Sequence, residues 1–281
     1  MKTIISNQEN LEKLKSQIRE QGFKSLHILT DFDRTLTYGV VNGVKTPSVI
    51  SMLRDGKHLT EGYSEKAYSL FNKYHPIEVD QSIPLETKKR AMQEWWESHH
   101  KLLFESGLSM SDLEDIVNNG VVRFRDGVVE FLDFLKQYDI PLVVLSASGC
   151  GEVIELFFKK IGKDYPNILY VINKFNWDEN GKAVSIKGPI IHSMNKDETI
   201  LEKIPEVYEK IKDRKNVILL GDSIGDLGMV HGFDFNNLIK IGFLNFDSEH
   251  LRKEFEENFD IVVEGDGDFS FVNSLMRDIE K

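Results

Sequence analysis

A single cysteine, Cys150, stands in 281 residues, so no internal disulfide can form and stability must come from a buried core, which a chain of this length can build. Asn-x-Ser/Thr sequons are absent too, and the two absences together lead to the expectation of a reducing, cytoplasmic setting. No uninterrupted apolar run approaches the roughly 20 residues of a membrane helix, which predicts a soluble protein with no membrane partner. Basic residues are in deficit, 35 against 46 acidic ones for a net charge of -11, and this argues against a nucleic-acid polymer or an anionic membrane as partner. A small anionic substrate would need a locally placed cation. The sequence carries no firm signal of oligomerisation, and a monomer is expected. Residues 1–22 place Leu11, Leu14 and Ile18 at helical spacing among Lys, Glu and Gln and end on Gly22, the pattern of a surface helix rather than of a secretory leader.

What is present is an alternation. Short apolar runs at 26–30, 142–145, 168–172, 217–220, 238–243 and 261–263 read as buried strands, and helical patterns at 153–161, 198–211 and 248–257 fall between the later ones. The fold class this predicts is α/β, a Rossmann-like, doubly wound and mostly parallel sheet with helices on both faces. The interval after Tyr38 breaks the rhythm. It is far longer than a crossover needs, and 85–106 and 109–118 look helical, the second with Ser109 or Ser111 as its cap. We expect an inserted helical cap at 39–125 and a catalytic core made of 1–38 and 126–281. Asp178-Glu179-Asn180-Gly181 reads as a hairpin turn rather than a calcium loop, whose later acidic ligands are missing.

Asp31-Phe32-Asp33-Arg34-Thr35 closes the first apolar run, and alternation along an extended chain sends Asp31 and Asp33 to the same side. Taken alone the pair could be turn acceptors or a metal clip of the kind found in nucleotide-sugar transferases. Three later pieces narrow the choice. Ser146 follows the strand at 142–145 where a helix begins, so it is either an N-cap or a phosphate donor. Lys196, in Asn195-Lys196-Asp197, could neutralise a phosphoryl oxygen or simply be solvated. Gly221-Asp222-Ser223-Ile224-Gly225-Asp226 ends another buried strand and brings two more carboxylates to the same sheet edge.

Chemistry assigns roles to this set. A carboxylate attacking a phosphate dianion needs Mg²⁺ between the charges, and Asp31 with Asp222 offers hard oxygen ligands. Asp31 is the expected site of an aspartyl-phosphate, and Asp33 the acid that protonates the leaving alkoxide and later takes a proton from water. Lys196 and Ser146 would hold charge developing on the equatorial oxygens. A phospho-acceptor module of the receiver type gathers similar groups, but an acid two residues past the nucleophile speeds hydrolysis of an acyl-phosphate and argues against it.

In their order these motifs resemble the haloacid dehalogenase superfamily of phosphohydrolases. Ile77-Glu78-Val79-Asp80, Glu94-Trp95-Trp96-Glu97-Ser98-His99 and Ile191-His192-Ser193-Met194-Asn195-Lys196 further resemble the cytosolic type III, or pyrimidine, 5′-nucleotidases from about Phe23 onward. The resemblance implies Asp31 as nucleophile, Asp33 as proton donor, and Mg²⁺ held by Asp222, Asp31 and the main-chain carbonyl of Asp33. It implies phosphate contacts from Ser146, Ala147 and Lys196, joined by Thr35, with Asp226 a supporting acid. Glu78 and Ser98 would match substrate-selecting positions in the cap.

Trp96 offers a stacking face, and Glu78 can accept from a base amino group such as cytosine N4. Trp95 reads as core, Trp96 as either core or base contact, and His99 and His100 as satisfied surface histidines. The double tryptophan is similar to the branch accepting 7-methylguanosine monophosphate, whereas Ser98 is similar to the pyrimidine branch. The expected activity is Mg²⁺-dependent hydrolysis of a nucleoside 5′-monophosphate, with a sugar phosphate or other small phosphoester as the alternative. Ser148, inserted before Gly149, departs from the family's Ser-Ala-Gly. Hinges for domain closure are expected near Tyr38-Gly39 and Arg125-Asp126-Gly127.

Overall fold

The structure, a computed structural model, describes residues 2–281 except 57, 233 and 247, and at 198 and 199 the backbone alone. The chain opens with strand β1 (Thr3–Ile5), helix α1 (Gln8–Gln21) and the buried β2 (Leu26–Thr30), then a small exposed hairpin, β3 (Val40–Val41) and β4 (Val44–Lys45). Four helices follow: α2 (Val49–Asp55), α3 (Tyr63–Val79), α4 (Leu85–Glu105) and α5 (Met110–Asn118). The sheet resumes with α6 (Val128–Gln137), β5 (Leu142–Leu145), α7 (Glu152–Lys160) and β6 (Ile168–Val171), and a hairpin of β7 (Lys174–Trp177) and β8 (Ala183–Lys187) projects from it. After α8 (Glu198–Leu201) and α9 (Pro205–Ile211), the strands β9 (Asn216–Gly221), β10 (Asn237–Leu244) and β11 (Ile261–Glu264) alternate with α10 (Glu249–Asn258) and end in α11 (Ser270–Glu280).

Seven strands form one sheet in the order β1-β11-β10-β9-β2-β5-β6, all parallel except β1, which runs antiparallel to β11 at the edge. The chain fills one side of β2 with β5 and β6 and then returns to fill the other with β9, β10 and β11, so the order reverses beside β2. That reversal opens a crevice beyond the carboxyl ends of β2, β5 and β9, where loops from adjacent strands diverge to opposite faces. Side-chain alternation puts Ile28, Val144 and Leu220 into one apolar layer and Leu29, Val143 and Leu219 into the other. The alternation of apolar and amphipathic runs thus gave the doubly wound α/β core correctly.

Two local expectations need correction. Residues 1–22 are not one helix: Thr3-Ile4-Ile5 pairs with β11, and α1 starts only after Asn7, whose side chain accepts from Asn10 N at 3.0 Å. Nor is 198–211 a single helix. Pro205 has no N–H to continue α8, and it instead takes the first position of α9. No helix among the described residues is long and apolar enough to cross a membrane.

Helices α2–α5 lie between the adjacent strands β2 and β5, and they pack over the crevice, α5 on α7 and α4 on β8. The Ser109 cap of α5 holds as a reciprocal box with Asp112. Where the chain leaves and rejoins the sheet, Thr37 bridges Phe124, and the buried Arg125 ties the two crossings together. Its Nε donates to Thr35 O at 2.8 Å, Nη1 to Asp266 Oδ1 at 2.9 Å and to Gly267 O at 2.5 Å. Nη2 donates to Arg34 O at 2.5 Å and to Asn245 Oδ1 at 2.6 Å, so all five N–H groups are used. The Asp266 oxygens also accept from Gly39 N at 2.7 Å and Val40 N at 2.8 Å.

Candidate active site

The core side of the crevice is built by strand ends. Asp31 leaves β2, Ser146 leaves β5 and Asp222 leaves β9, three neighbouring strands in register, so three short loops converge without any long-range bend. Lys196 arrives from the loop before α8. Its Nζ, 8% exposed as a residue, donates to Asp31 Oδ1 at 2.7 Å and to Asp226 Oδ1 at 2.8 Å. Asp226 is fixed in turn, because its other oxygen accepts from Ser223 N at 3.0 Å, Ser223 Oγ at 2.9 Å and Asp222 N at 3.2 Å. Gly221 is what lets Asp226 fold back this far: a Cβ there would sit 2.5 Å from the Asp226 Cβ.

Charge is crowded here. Burial pushes Asp31 up to about 7, with Lys196 opposing and the Asp226 and Asp33 carboxylates adding to the rise. Burial likewise raises Asp33 to about 6 against the pull of Arg34 and Lys196. Asp222 is raised well above the usual carboxylate range by burial and then by Asp226 and Asp31. Burial works against the Lys196 ammonium, yet Asp226 and Asp31 more than compensate and hold its pKa above the ordinary value. Carboxylates so strained toward protonation are a donor set that a hard divalent cation relieves, and the oxygens of Asp31 and Asp222 fit one. Among the described residues no three Asp, Glu, His or Cys side chains converge closely enough to cage an ion by themselves. A cation held by Asp31 and Asp222 would need further oxygens from main chain, substrate or water.

A cavity of about 440 Å³ joins this edge to α2, α3 and α4. Asp31, Asp33, Ser146, Ala147, Lys196, Asp222 and Asp226 line its core end, and Glu78 and Trp96 line the other, so nine of the residues singled out in the sequence meet in one space. Two do not. Thr35 is buried and does not line the cavity, its carbonyl held by Arg125 and its hydroxyl without a hydrogen-bond partner. Ser98 is half-buried and does not line the cavity, whereas His99, one turn after Trp95 on α4, does.

The same helical arithmetic corrects the histidines. His99 and His100 are both buried, not on the surface, and burial lowers them to about 3 and about 4. His99 Nε2 lies 3.0 Å from the Tyr63 hydroxyl, and His100 Nε2 3.0 Å from Gly149 O. Trp95 is core as expected, stacked on Tyr74 at 5.9 Å, yet its edge also reaches the cavity. Trp96 runs parallel to it at 5.8 Å.

Residues missed in the sequence are Arg34, which adopts φ +58° just after Asp33, and Arg54, Phe71, His75, Ser148 and Ser193. Phe71, His75 and Glu78 recur at helical spacing on one face of α3, a signal that periodicity could have given. Ser193 could not have been found that way. It donates to Glu78 Oε1 at 2.5 Å across 115 residues, while His75 Nδ1 lies 3.2 Å from Oε2.

Comparison with known proteins converges on the same chemistry. Residues 34–280 match the family model described as pyrimidine 5′-nucleotidase, UMPH-1. A Gallus gallus protein named 7-methylguanosine phosphate-specific 5′-nucleotidase is 36% identical over 261 residues, spanning 92% of this chain and 90% of that one. A crystal structure of cytosolic 5′-nucleotidase IIIB bound to cytidine superposes with a TM-score of 0.89 at 29% identity, covering 99% of this chain and 93% of the other. Phosphoserine phosphatase as a phospho-aspartyl intermediate analogue gives a TM-score of 0.50 at 21% identity over 89% and 97% of the two chains, a likeness of fold.

Proposed function

The chain belongs to the pyrimidine 5′-nucleotidase family and is a phosphoric monoester hydrolase, and we propose that it cleaves nucleoside 5′-monophosphates through an aspartyl-phosphate on Asp31. The observation that carries this reading is the single cavity shared by Asp31, Asp33, Lys196 and Asp222 at one end and Trp96 and Glu78 at the other. A monophosphate placed at the core end leaves its base among the rings of α3 and α4. Trp96 supplies a stacking face there, and Glu78 an acceptor for a base amino or imino group, which suits CMP and 7-methylguanosine monophosphate.

In this scheme the Lys196 ammonium, now shared between Asp31 and Asp226, turns toward the incoming phosphoryl oxygens. Ser146 Oγ and the Ala147 N–H bind the remaining oxygens. An Asp31 carboxylate oxygen attacks phosphorus as the ester bond to the 5′-oxygen breaks, and Asp33 gives its proton to that oxygen. Asp33, raised to about 6, is poised to be protonated for the first step and to accept a proton from water in the second. Asp31, Asp222 and the main-chain carbonyl of Asp33 would hold Mg²⁺, whose chemistry there would be Lewis-acid neutralisation of the phosphate charge. The segment 39–125 acts as a cap over the catalytic core, shutting out bulk water while the ester is positioned. The enzyme is read as a cytoplasmic monomer whose partners are small nucleotides.

Phosphate release from CMP, UMP, 7-methylguanosine monophosphate and ribose 5-phosphate, with and without Mg²⁺, tests the reading. Nucleotides should outrank the sugar phosphate, and Mg²⁺ should be required. Full activity in Asp31→Asn, or ribose 5-phosphate as the best substrate, would overturn it.

A further inference from the structure

We propose that Arg54 is the fixed positive charge of the base-binding end, where it biases the enzyme toward neutral bases with an exposed acceptor edge and against the cationic, N7-methylated purine. The inference rests on the nucleotidase reading above. Arg54 sits in the last turn of α2 and is 9% exposed, an unusual depth for a residue that normally keeps its guanidinium in water. It lines the cavity with Phe71, Glu78 and Trp96. Its guanidinium carbon lies 4.6 Å from the ring centres of both Tyr68 and Phe71. A cation therefore already rests on this aromatic wall, and it is supplied by the chain itself.

Its hydrogen bonding is incomplete. Nη2 donates to Ser51 Oγ at 3.1 Å, but the buried Nε has no hydrogen-bond partner, since its nearest carboxylate oxygen, Asp55 Oδ1, is 3.6 Å away. Asp55 is a poor counter-charge for it. Its side chain is 51% exposed, so water screens it, and it already accepts from the Tyr68 hydroxyl. The opposite charge on the cavity wall, Glu78, is engaged by Ser193 and His75. The base-binding end thus presents one acceptor carboxylate and one donor cation. Cytosine satisfies both, offering its N4 amino group to Glu78 and its ring N3 and O2 as acceptors. A 7-methylguanine can likewise give its N1 and N2 protons to Glu78, but it brings a positive charge into a cavity end that already holds the Arg54 guanidinium.

The test compares kcat/KM for CMP and 7-methylguanosine monophosphate in the full chain, in Arg54→Gln and in Arg54→Lys, with thermal melting as the check on folding. Arg54→Gln should raise the ratio of the methylated substrate to CMP about tenfold or more. Arg54→Lys should stay within about threefold of the parent. An unmoved or falling ratio in a folded Arg54→Gln protein overturns the inference. Should that variant not fold, the parent protein decides through competitive inhibition by guanosine and 7-methylguanosine. Methylation should improve inhibition by less than about threefold, and an improvement of tenfold or more overturns the proposal. If the parent releases phosphate from neither nucleotide, it is the nucleotidase reading that fails. If it hydrolyses both and the ratio does not move, only the role of Arg54 fails.

Discussion

The edge of the Trp96 indole rests against Gly149 so closely that a Cβ at that glycine would come within 2.3 Å of the ring. The same glycine's carbonyl lies 3.0 Å from His100 Nε2. Helix α4 is therefore seated on the loop that begins with Ser146, and the cap end of the cavity is indexed to its core end by one residue without a side chain. Ser148, the residue before Gly149, donates its backbone N–H to Ser146 Oγ at 3.2 Å.

Gly149→Ala should displace Trp96 or the whole of α4, since a methyl group cannot approach within 2.3 Å of an aromatic carbon. We expect kcat/KM for nucleotides to drop by about tenfold or more, because small misplacements of bound substrate are costly to rate. Steady-state kinetics decide the point, and parent-like values would show that the seat does not position the substrate.

Asp33→Asn should slow turnover by about 10² to 10⁴, the usual worth of a positioned general acid. It should also change stability with a definite sign. The Asp33 pKa is raised from 3.8 to about 6 by burial, so its contribution to stability is full below 3.8 and is lost as pH rises through 6. Melting of the metal-free proteins should therefore show the Asp33→Asn variant more stable than the parent at pH 8 and no more stable at pH 4. A gain of equal size at both values would contradict the burial argument.

Histidines tilt the balance the other way. His27, His99, His100 and His192 are lowered from 6.5 to about 4, 3, 4 and 4, in each case chiefly by burial. Between those values and 6.5 the unfolded chain binds more protons than the folded one, so their contribution is present above 6.5 and is lost on acidification. His100→Gln, which keeps a donor for Gly149 O, should narrow the difference in melting temperature between pH 7 and pH 5. An unchanged difference would mean that His100 titrates near its ordinary value.

Arg125→Met should cost about 3–5 kcal/mol in chemical denaturation, since it removes the cation paired with the part-buried Asp266 carboxylate and strands the carbonyls of Thr35 and Gly267. A loss below about 1 kcal/mol would show that the junction rearranges freely. Asp266→Asn, which keeps an acceptor for Gly39 N, should cost less.

How much of this was legible beforehand depended on the range of the interaction. Asp31, Asp33, Ser146 and Asp222 announced themselves because each follows a buried apolar strand, and strand ends in a doubly wound sheet share one edge. Lys196 was singled out only together with the others, since a lysine in a loop carries no signal alone. On the helices Ser98 came from family likeness alone, and His99 and His100 were placed on the surface because adjacent helical residues point apart, whereas α4 is packed on both sides and buries them both. Arg54 and Ser193 gave no sign, because a short helix end and a polar loop look alike whether they face solvent or a cavity.

The chain by itself determined the doubly wound core, the order of its strands' chemistry and the identity of the acids, because strand periodicity and strand-end placement are local properties of sequence. Tertiary structure alone decided which side chains close the other end of the cavity: Trp96 on Gly149, Ser193 on Glu78, Arg54 on Tyr68 and Phe71. Contacts between segments 14 to 115 residues apart depend on how helices are docked, and docking is set by complementary surfaces that no single stretch of sequence contains.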